Sequence, residues 1–304
     1  VTLNPKCALT IRDVDPVGTA SDLFYGLSTA FGYGTSDFVA RQASHRIGHV
    51  RVLFYMELVG FAILAPIAVV LEHGTWRWSA AWWLVLGLGA LNTFATLFLY
   101  RSFEYGVLSV VSPIASSYPA VTAALAILFL NDRPGLRATL GILFVLGGIL
   151  LLSRGGVHPA NAPPKDARLG ILSAFGAFAG YGIFYFALKY VVADVGPVTV
   201  ATAVRLVGVV VLLILAAAGV LQVRGLPRPL WSYLGAMGVL DSLAFIAFNV
   251  GILGGSVAIV GTLSGLFSAV TVVLAAAILR ERLTRLQAVG VASIFVGVVL
   301  IALG

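Results

Sequence analysis

Three ionisable residues, Glu57, Arg205 and Asp241, stand well inside apolar runs of this 304-residue chain. A charge left near the centre of a bilayer costs about 2.5–3.5 kcal/mol on insertion scales, so each must face a partner or a cavity. Glu57 and Arg205 have opposite charge. If they meet, they form either a buried structural pair or a site that binds a coupling ion or a substrate charge. Asp241 suits proton exchange, because burial favours the neutral carboxyl and lets an acid titrate within reach of physiological pH. Ser242 beside it and Asn249, two helical turns on, supply hydrogen-bonding groups. The aromatics Tyr25, Tyr33, Phe178, Tyr181 and Tyr185 recur at three- or four-residue steps or twice that. They either line one wall of a cavity, with Tyr33 and Tyr181 as substrate contacts, or pack towards lipid.

The composition places these residues in a membrane. The chain is 60% hydrophobic and 10% charged with mean hydropathy +1.03, against about 25% charged residues in a soluble protein. Its net charge of +7 is scattered between apolar runs. That is the pattern of an orientation signal rather than of a nucleic-acid surface. The single Cys7 excludes an internal disulfide framework, and the four histidines fall in polar connections. No Gly-rich loop ends in Lys-Ser/Thr, which argues against ATP hydrolysis. No catalytic residue, cofactor or metal is expected, and no nucleic-acid partner.

Runs of about 20 apolar residues are the spanning unit. Ten are read, near 21–40, 50–71, 80–100, 107–130, 137–152, 169–192, 197–221, 231–253, 256–279 and 285–303. Residues 1–20 lack an apolar core long enough for a signal peptide and read as a polar lead-in. Tryptophans 76, 78, 82, 83 and 231 crowd the starts of the third and eighth spans, as interfacial anchors do. Asp37, Arg101, Glu104 and Lys189 read as anchors at span ends.

The chain repeats itself. Ala120-Val121-Thr122, Asn131-Asp132-Arg133, Gly141 and Gly148 recur without a gap, 149 residues on, as Ala269-Val270-Thr271, Arg280-Glu281-Arg282, Gly290 and Gly297. Asn92 then answers Asp241, and Asp241 is the only acid of that pair. At slightly shorter offsets Glu57-Leu58-Val59-Gly60 answers Arg205-Leu206-Val207-Gly208, and Ala30-Phe31-Gly32 answers Ala174-Phe175-Gly176. An odd number of spans per copy inserts the second copy upside down, and inverted repeats place a substrate site between halves near the midplane. The expected organisation is an all-α integral membrane protein of ten transmembrane helices in two inverted five-helix repeats, 21–153 and 169–304, joined by a Gly/Pro-rich linker, 154–168. Thr284 to Gln287 has the form of a capping box that starts the last helix. The charged clusters at Asp132/Arg133 and Glu281/Arg282 therefore read as corners rather than chemistry. The glycine pairs 141/148 and 290/297, two turns apart, mark the packing faces of the fifth and tenth spans.

These features resemble the drug/metabolite transporter superfamily in its ten-helix EamA branch. The likeness rests on Arg280-Glu281-Arg282-Leu283-Thr284, Gln287, Gly290 and Gly297. The first half departs from it with Asp132 where glutamate is usual, with Pro134-Gly135, and with Glu57 where an arginine is common. The resemblance implies a multi-pass secondary transporter of the plasma or inner membrane. It would export amino acids or related small metabolites by alternating access, with inward proton flow as one driving option, as a monomer or weak homo-oligomer. The resemblance also implies cytoplasmic termini. The charge count opposes this: loops after odd-numbered spans hold about twelve Lys and Arg, the termini and other loops about six, which puts the termini outside.

Three rivals fare less well. A membrane-embedded enzyme acting on lipid-linked substrates needs its charged clusters on one side, and the inverted repeat separates them. A channel for small polar solutes needs a ring or filter motif. A scaffold leaves the three buried charges unexplained. Substrate contact or coupling is assigned to Asp241, Glu57, Arg205, Asn92, Asn249, Tyr33 and Tyr181. Single cysteines at positions 132 and 281 are expected to react with an impermeant maleimide from opposite sides of the membrane. Same-side labelling would sink the inverted repeat.

Overall fold

In the computed structural model, residues 19–47, 49–105, 114–154, 166–220, 231–278 and 284–303 are described. Among them the chain forms helices and no strands, as an apolar sequence must when its backbone polar groups have no water to bond. The helices of the first copy are α1 (Thr19–Ile47), α2 (His49–Glu72), α3 (Ala81–Tyr105), α4 (Tyr118–Phe129) and α5 (Leu136–Arg154). The second copy gives α6 (Ala167–Ala187), α7 (Lys189–Val195), α8 (Pro197–Ala217), α9 (Trp231–Gly254), α10 (Val257–Ser264), α11 (Phe267–Ile278) and α12 (Arg285–Ala302).

Among the described residues, five stretches are long and apolar enough to cross a membrane: Val50–Glu72, Ala81–Leu99, Ala167–Ala187, Pro197–Ala217 and Trp231–Gly254. Tyr118–Phe129, Leu136–Leu151, Val257–Thr271 and Arg285–Ile301 are apolar but shorter. The outer surface is apolar too. Phe31 is 59% exposed, Leu128 73% and Phe295 71%, a surface that lipid covers and water would not tolerate.

Three span boundaries differ from the sequence reading. First, α1 does not stop near Ala40 but runs to Ile47, because no Pro or Gly interrupts a helix as it passes from lipid into polar surroundings. The sixth span is divided at Leu188 into α6 and α7. The ninth is divided by a turn at residues 265–266 into α10 and α11, and residues 116–117 form the matching turn ahead of α4, at the repeat offset of 149. The two interrupted segments pack on each other. A Cβ at Gly261 would stand 2.9 Å from Thr122 Cγ2, and one at Gly265 would overlap Pro119.

Glycines also set the contact between α5 and α12. A Cβ at Gly141 would lie 2.6 Å from the Gly297 carbonyl, and one at Gly148 would lie 2.7 Å from the Gly290 carbonyl. The helices are therefore antiparallel and in backbone contact, as the glycine pairs lead one to expect. Ser293 Oγ donates to the Phe144 carbonyl at 2.8 Å, and these two residues occupy the same position of the two copies. Pairs of equivalent helices that cross antiparallel are what an inverted repeat generates. Gly147, by contrast, faces open space. Gly141→Val is expected to lower stability by about 1–3 kcal/mol through forced helix separation, read by thermal unfolding in detergent. Gly147→Ala should be neutral or stabilising by up to about 1 kcal/mol.

Candidate functional site

Glu57 on α2 and Arg205 on α8 meet between the two copies. Arg205 Nη1 donates to Glu57 Oε2 at 3.1 Å, and Arg205 Nη2 donates to Asp241 Oδ2 on α9. Arg205 is 3% exposed and Glu57 0%, with Asp241 at 7%. The expected Glu57–Arg205 contact is present. Asp241, read from sequence as a lone acid, is in fact held by the same guanidinium. The reason is geometric: α8 and α9 lie side by side, so an arginine placed to reach α2 also reaches α9.

The approach needs glycine on both sides. A Cβ at Gly208 would lie 2.9 Å from Glu57 Cδ, and one at Gly60 would lie 3.2 Å from Arg205 Cδ and Nε and 3.0 Å from Ser242 Oγ. Gly60 and Gly208 answer each other in the repeat, so each copy offers its glycine to the other's charged chain. The Arg205 guanidinium also stands 5.5 Å from the Phe245 ring centroid, a favourable position for a cation. The cluster holds two carboxylates and one guanidinium. Glu57 Oε1, Arg205 Nε and Ser242 Oγ are buried there without a hydrogen-bond partner among the described residues.

The other expected site residues make contacts of their own. Asn92 is buried on α3, where its backbone carbonyl accepts from Thr96 Oγ1 at 2.9 Å. Asn249 Nδ2 donates to the Pro197 carbonyl at 2.9 Å, tying α9 to the start of α8, and its Oδ1 has no partner among the described residues. Tyr181 donates to Thr96 Oγ1 at 2.7 Å. Tyr33 stands edge-on to Tyr185, with centroids 6.4 Å apart.

The aromatics do form an interior wall. Tyr185 stacks on Tyr118 at 5.2 Å and meets Phe248 at 4.8 Å, while Tyr118 stacks on Phe267 at 6.1 Å. Tyr118 on α4 escaped the sequence reading because it stands alone there, with no periodic partner. Asp37 lies ten residues before the end of α1, about 15 Å of helix, away from the end of its helix.

A second polar set closes one end of the bundle, and none of it stands among the assigned site residues. Glu72 accepts from Val198 N at 3.1 Å and Thr199 N at 2.7 Å. Gly196, with φ +99, makes room for its carboxylate. Asp132 accepts from Ser256 Oγ at 2.9 Å and Ala258 N at 3.0 Å, and Asp22 accepts from Ser256 N at 3.2 Å. Lys189 donates to the Ile252 and Leu253 carbonyls. Acids thus meet the positive ends of α8 and α10, and a lysine meets the negative end of α9. Three of the four come from the first copy and bind the second. At the opposite end Thr284 and Gln287 form the expected capping box on α12. Glu281 and Arg282 lie outside the described residues.

Apolar helices, an inverted repeat and a buried charge cluster between its halves define a multi-pass membrane protein of the transporter type. The chain belongs to the EamA-like transporter family, whose model matches residues 21–154 and again 168–303. An uncharacterized protein of Methanocaldococcus jannaschii is 41% identical over 63 residues, 21% of this chain and 46% of that protein. The match therefore spans about half of that relative's length. A solved crystal structure superposes with TM-score 0.79 at 16% identity, covering 93% of this chain and 97% of its own. That likeness shows the fold.

The three-membered cluster sets an order of mutational damage. Arg205→Gln leaves two carboxylates buried together and is expected to cost about 3–5 kcal/mol, read by unfolding in detergent. Glu57→Gln should cost clearly less, since Asp241 still holds the arginine. Exchanging the pair, Glu57→Arg with Arg205→Glu, should not restore stability, because the new glutamate faces Asp241. Full restoration would mean that the 57–205 contact alone matters.

Proposed function

We propose that this protein is a secondary transporter, an exporter of small organic metabolites. It works by alternating access across ten membrane spans, 21–153 and 169–304 forming its two halves. The observation that carries this reading is the Arg205 guanidinium held between a carboxylate of each copy. Two acids on one base leave a buried excess of negative charge, which a proton on one carboxylate neutralises. Asp241 is the more accessible acid, at 7% exposure against 0% for Glu57, and is the proton-exchanging group. It shares its surroundings with Arg205 on α8 and Glu57 on α2. Tyr33 and Asp37 on α1 and Tyr181 and Tyr185 on α6 lie in the same interior.

Further support comes from the interrupted segments. The matched turns at 116–117 and 265–266 lie where the copies pack together, and discontinuous helices at a repeat interface are where transporters place their sites. The cross-copy caps by Glu72, Asp132 and Asp22 close one end of the path. Releasing those bonds while the other end closes would alternate access.

The test is flux of a metabolite panel in proteoliposomes, with and without an imposed pH gradient. Flux should steepen with the gradient in the wild-type chain. Asp241→Asn should fold, by elution profile and helical signal, yet lose that dependence. An unchanged pH profile would remove Asp241 from coupling.

A further inference from the structure

Asp37 is an acid that the ion cluster leaves unused. It is exposed, and it makes no hydrogen bond or ion pair among the described residues. Yet it does not face lipid. Tyr33, one turn earlier on the same face of α1, is 8% exposed. Gly34 between them is packed so closely on α11 that a Cβ would lie 2.5 Å from Val270 Cβ and 2.6 Å from the Phe267 carbonyl. Thr271 Oγ1 donates to the Gly34 carbonyl at 2.9 Å. This face of α1 therefore looks into the bundle, and the accessible surface of Asp37 belongs to a space inside it.

The repeat places the aromatic wall around the same space. At the offset that aligns Ala30-Phe31-Gly32 with Ala174-Phe175-Gly176, Asp37 is answered by Tyr181. The Asp37 carboxylate lies within electrostatic reach of the Tyr33, Tyr118 and Tyr181 hydroxyls. Tyr118 in turn stacks on Tyr185 and Phe267. An unpaired carboxylate beside electron-rich ring faces attracts one chemical class: an organic cation, whose ammonium pairs with the acid while its adjoining groups lie on the rings.

We infer that Asp37, with Tyr33, Tyr118 and Tyr181, forms the binding subsite for the protonated amine of the transported solute. This rests on the transport reading and sharpens it: Asp241 serves the proton and Asp37 the substrate charge. An anionic solute would meet an uncompensated carboxylate there and be rejected, which is how one acid selects among metabolites.

The experiment measures equilibrium binding of two probes of nearly equal shape to the purified full-length chain in detergent. The probes are phenethylamine, cationic at neutral pH, and 2-phenylethanol, which is neutral. The wild-type chain should bind the amine and discriminate against the alcohol by at least about tenfold, the weight of one charge-assisted bond. Asp37→Asn should erase that difference, and Asp37→Glu should keep most of it. Equal binding of the two probes, or discrimination that survives Asp37→Asn, overturns the inference. So does absence of amine binding by a chain that carries other solutes in the flux assay. Binding needs no transport, so a chain that binds the amine and moves nothing would defeat the transport reading alone.

Discussion

The structure depends on one constraint: a guanidinium out of reach of water must be answered from within the protein. Arg205 is answered twice, by Glu57 from the other copy and by Asp241 from the neighbouring helix. Removing the arginine costs several kcal/mol, because two buried carboxylates are then left together without a partner. The cluster is therefore a buried polar tie between halves whose apolar contact alone would be weakly discriminating in lipid. Its geometry propagates outward. Gly60 and Gly208 are small because charged chains pass over them, and α2 and α8 cross antiparallel because their equivalent residues meet.

A second layer of the same physics operates at one end of the bundle. Glu72, Asp132 and Asp22 answer backbone N–H groups at the starts of α8 and α10, and Lys189 answers carbonyls at the end of α9. Helix ends carry partial charges that need partners wherever they are drawn out of water. Here the partners come mostly from the opposite copy, so the contact that satisfies a helix end also holds the two copies shut. Such a closure can open, because water can replace each cap once the end is wet. The central cluster has no such substitute, so under the proposed alternating access the centre would serve as the fulcrum and the end as the gate.

Much of this was legible in the sequence, and the limits are instructive. The duplication, the capping box at Thr284 and Gln287, the glycine contact of α5 with α12 and the meeting of Glu57 with Arg205 all follow from spacing, because local pattern or repeat symmetry dictates them. What escaped depends on which helices become neighbours. Asp241 read as unpaired because its partner is on another span at no characteristic separation. The caps made by Glu72 and Asp132 escaped because a cap on a distant helix leaves no local signature. Asp37 read as a terminal anchor because the apolar run ends near Ala40, although the helix continues to Ile47. Hydropathy reports where lipid ends, and the depth of a side chain depends on helix tilt and length as well.

The repeat also explains how one fold can hold two separate charge sites. Duplication supplies equivalent positions, and function comes from making them unequal. Glu57 faces Arg205, Asn92 stands where the other copy has Asp241, and Asp37 stands where the other copy has Tyr181. Had positions 57 and 205 stayed identical in charge, like charges would meet between the copies and repel. Opposite or neutral partners instead convert a symmetric seam into a polar one, with a net carboxylate at the central cluster and another beside the tyrosines. Under the transport reading proposed above, a proton and an organic cation would occupy distinct acids within one interior, and each positive charge bound would relieve repulsion between acids that share a low-dielectric space.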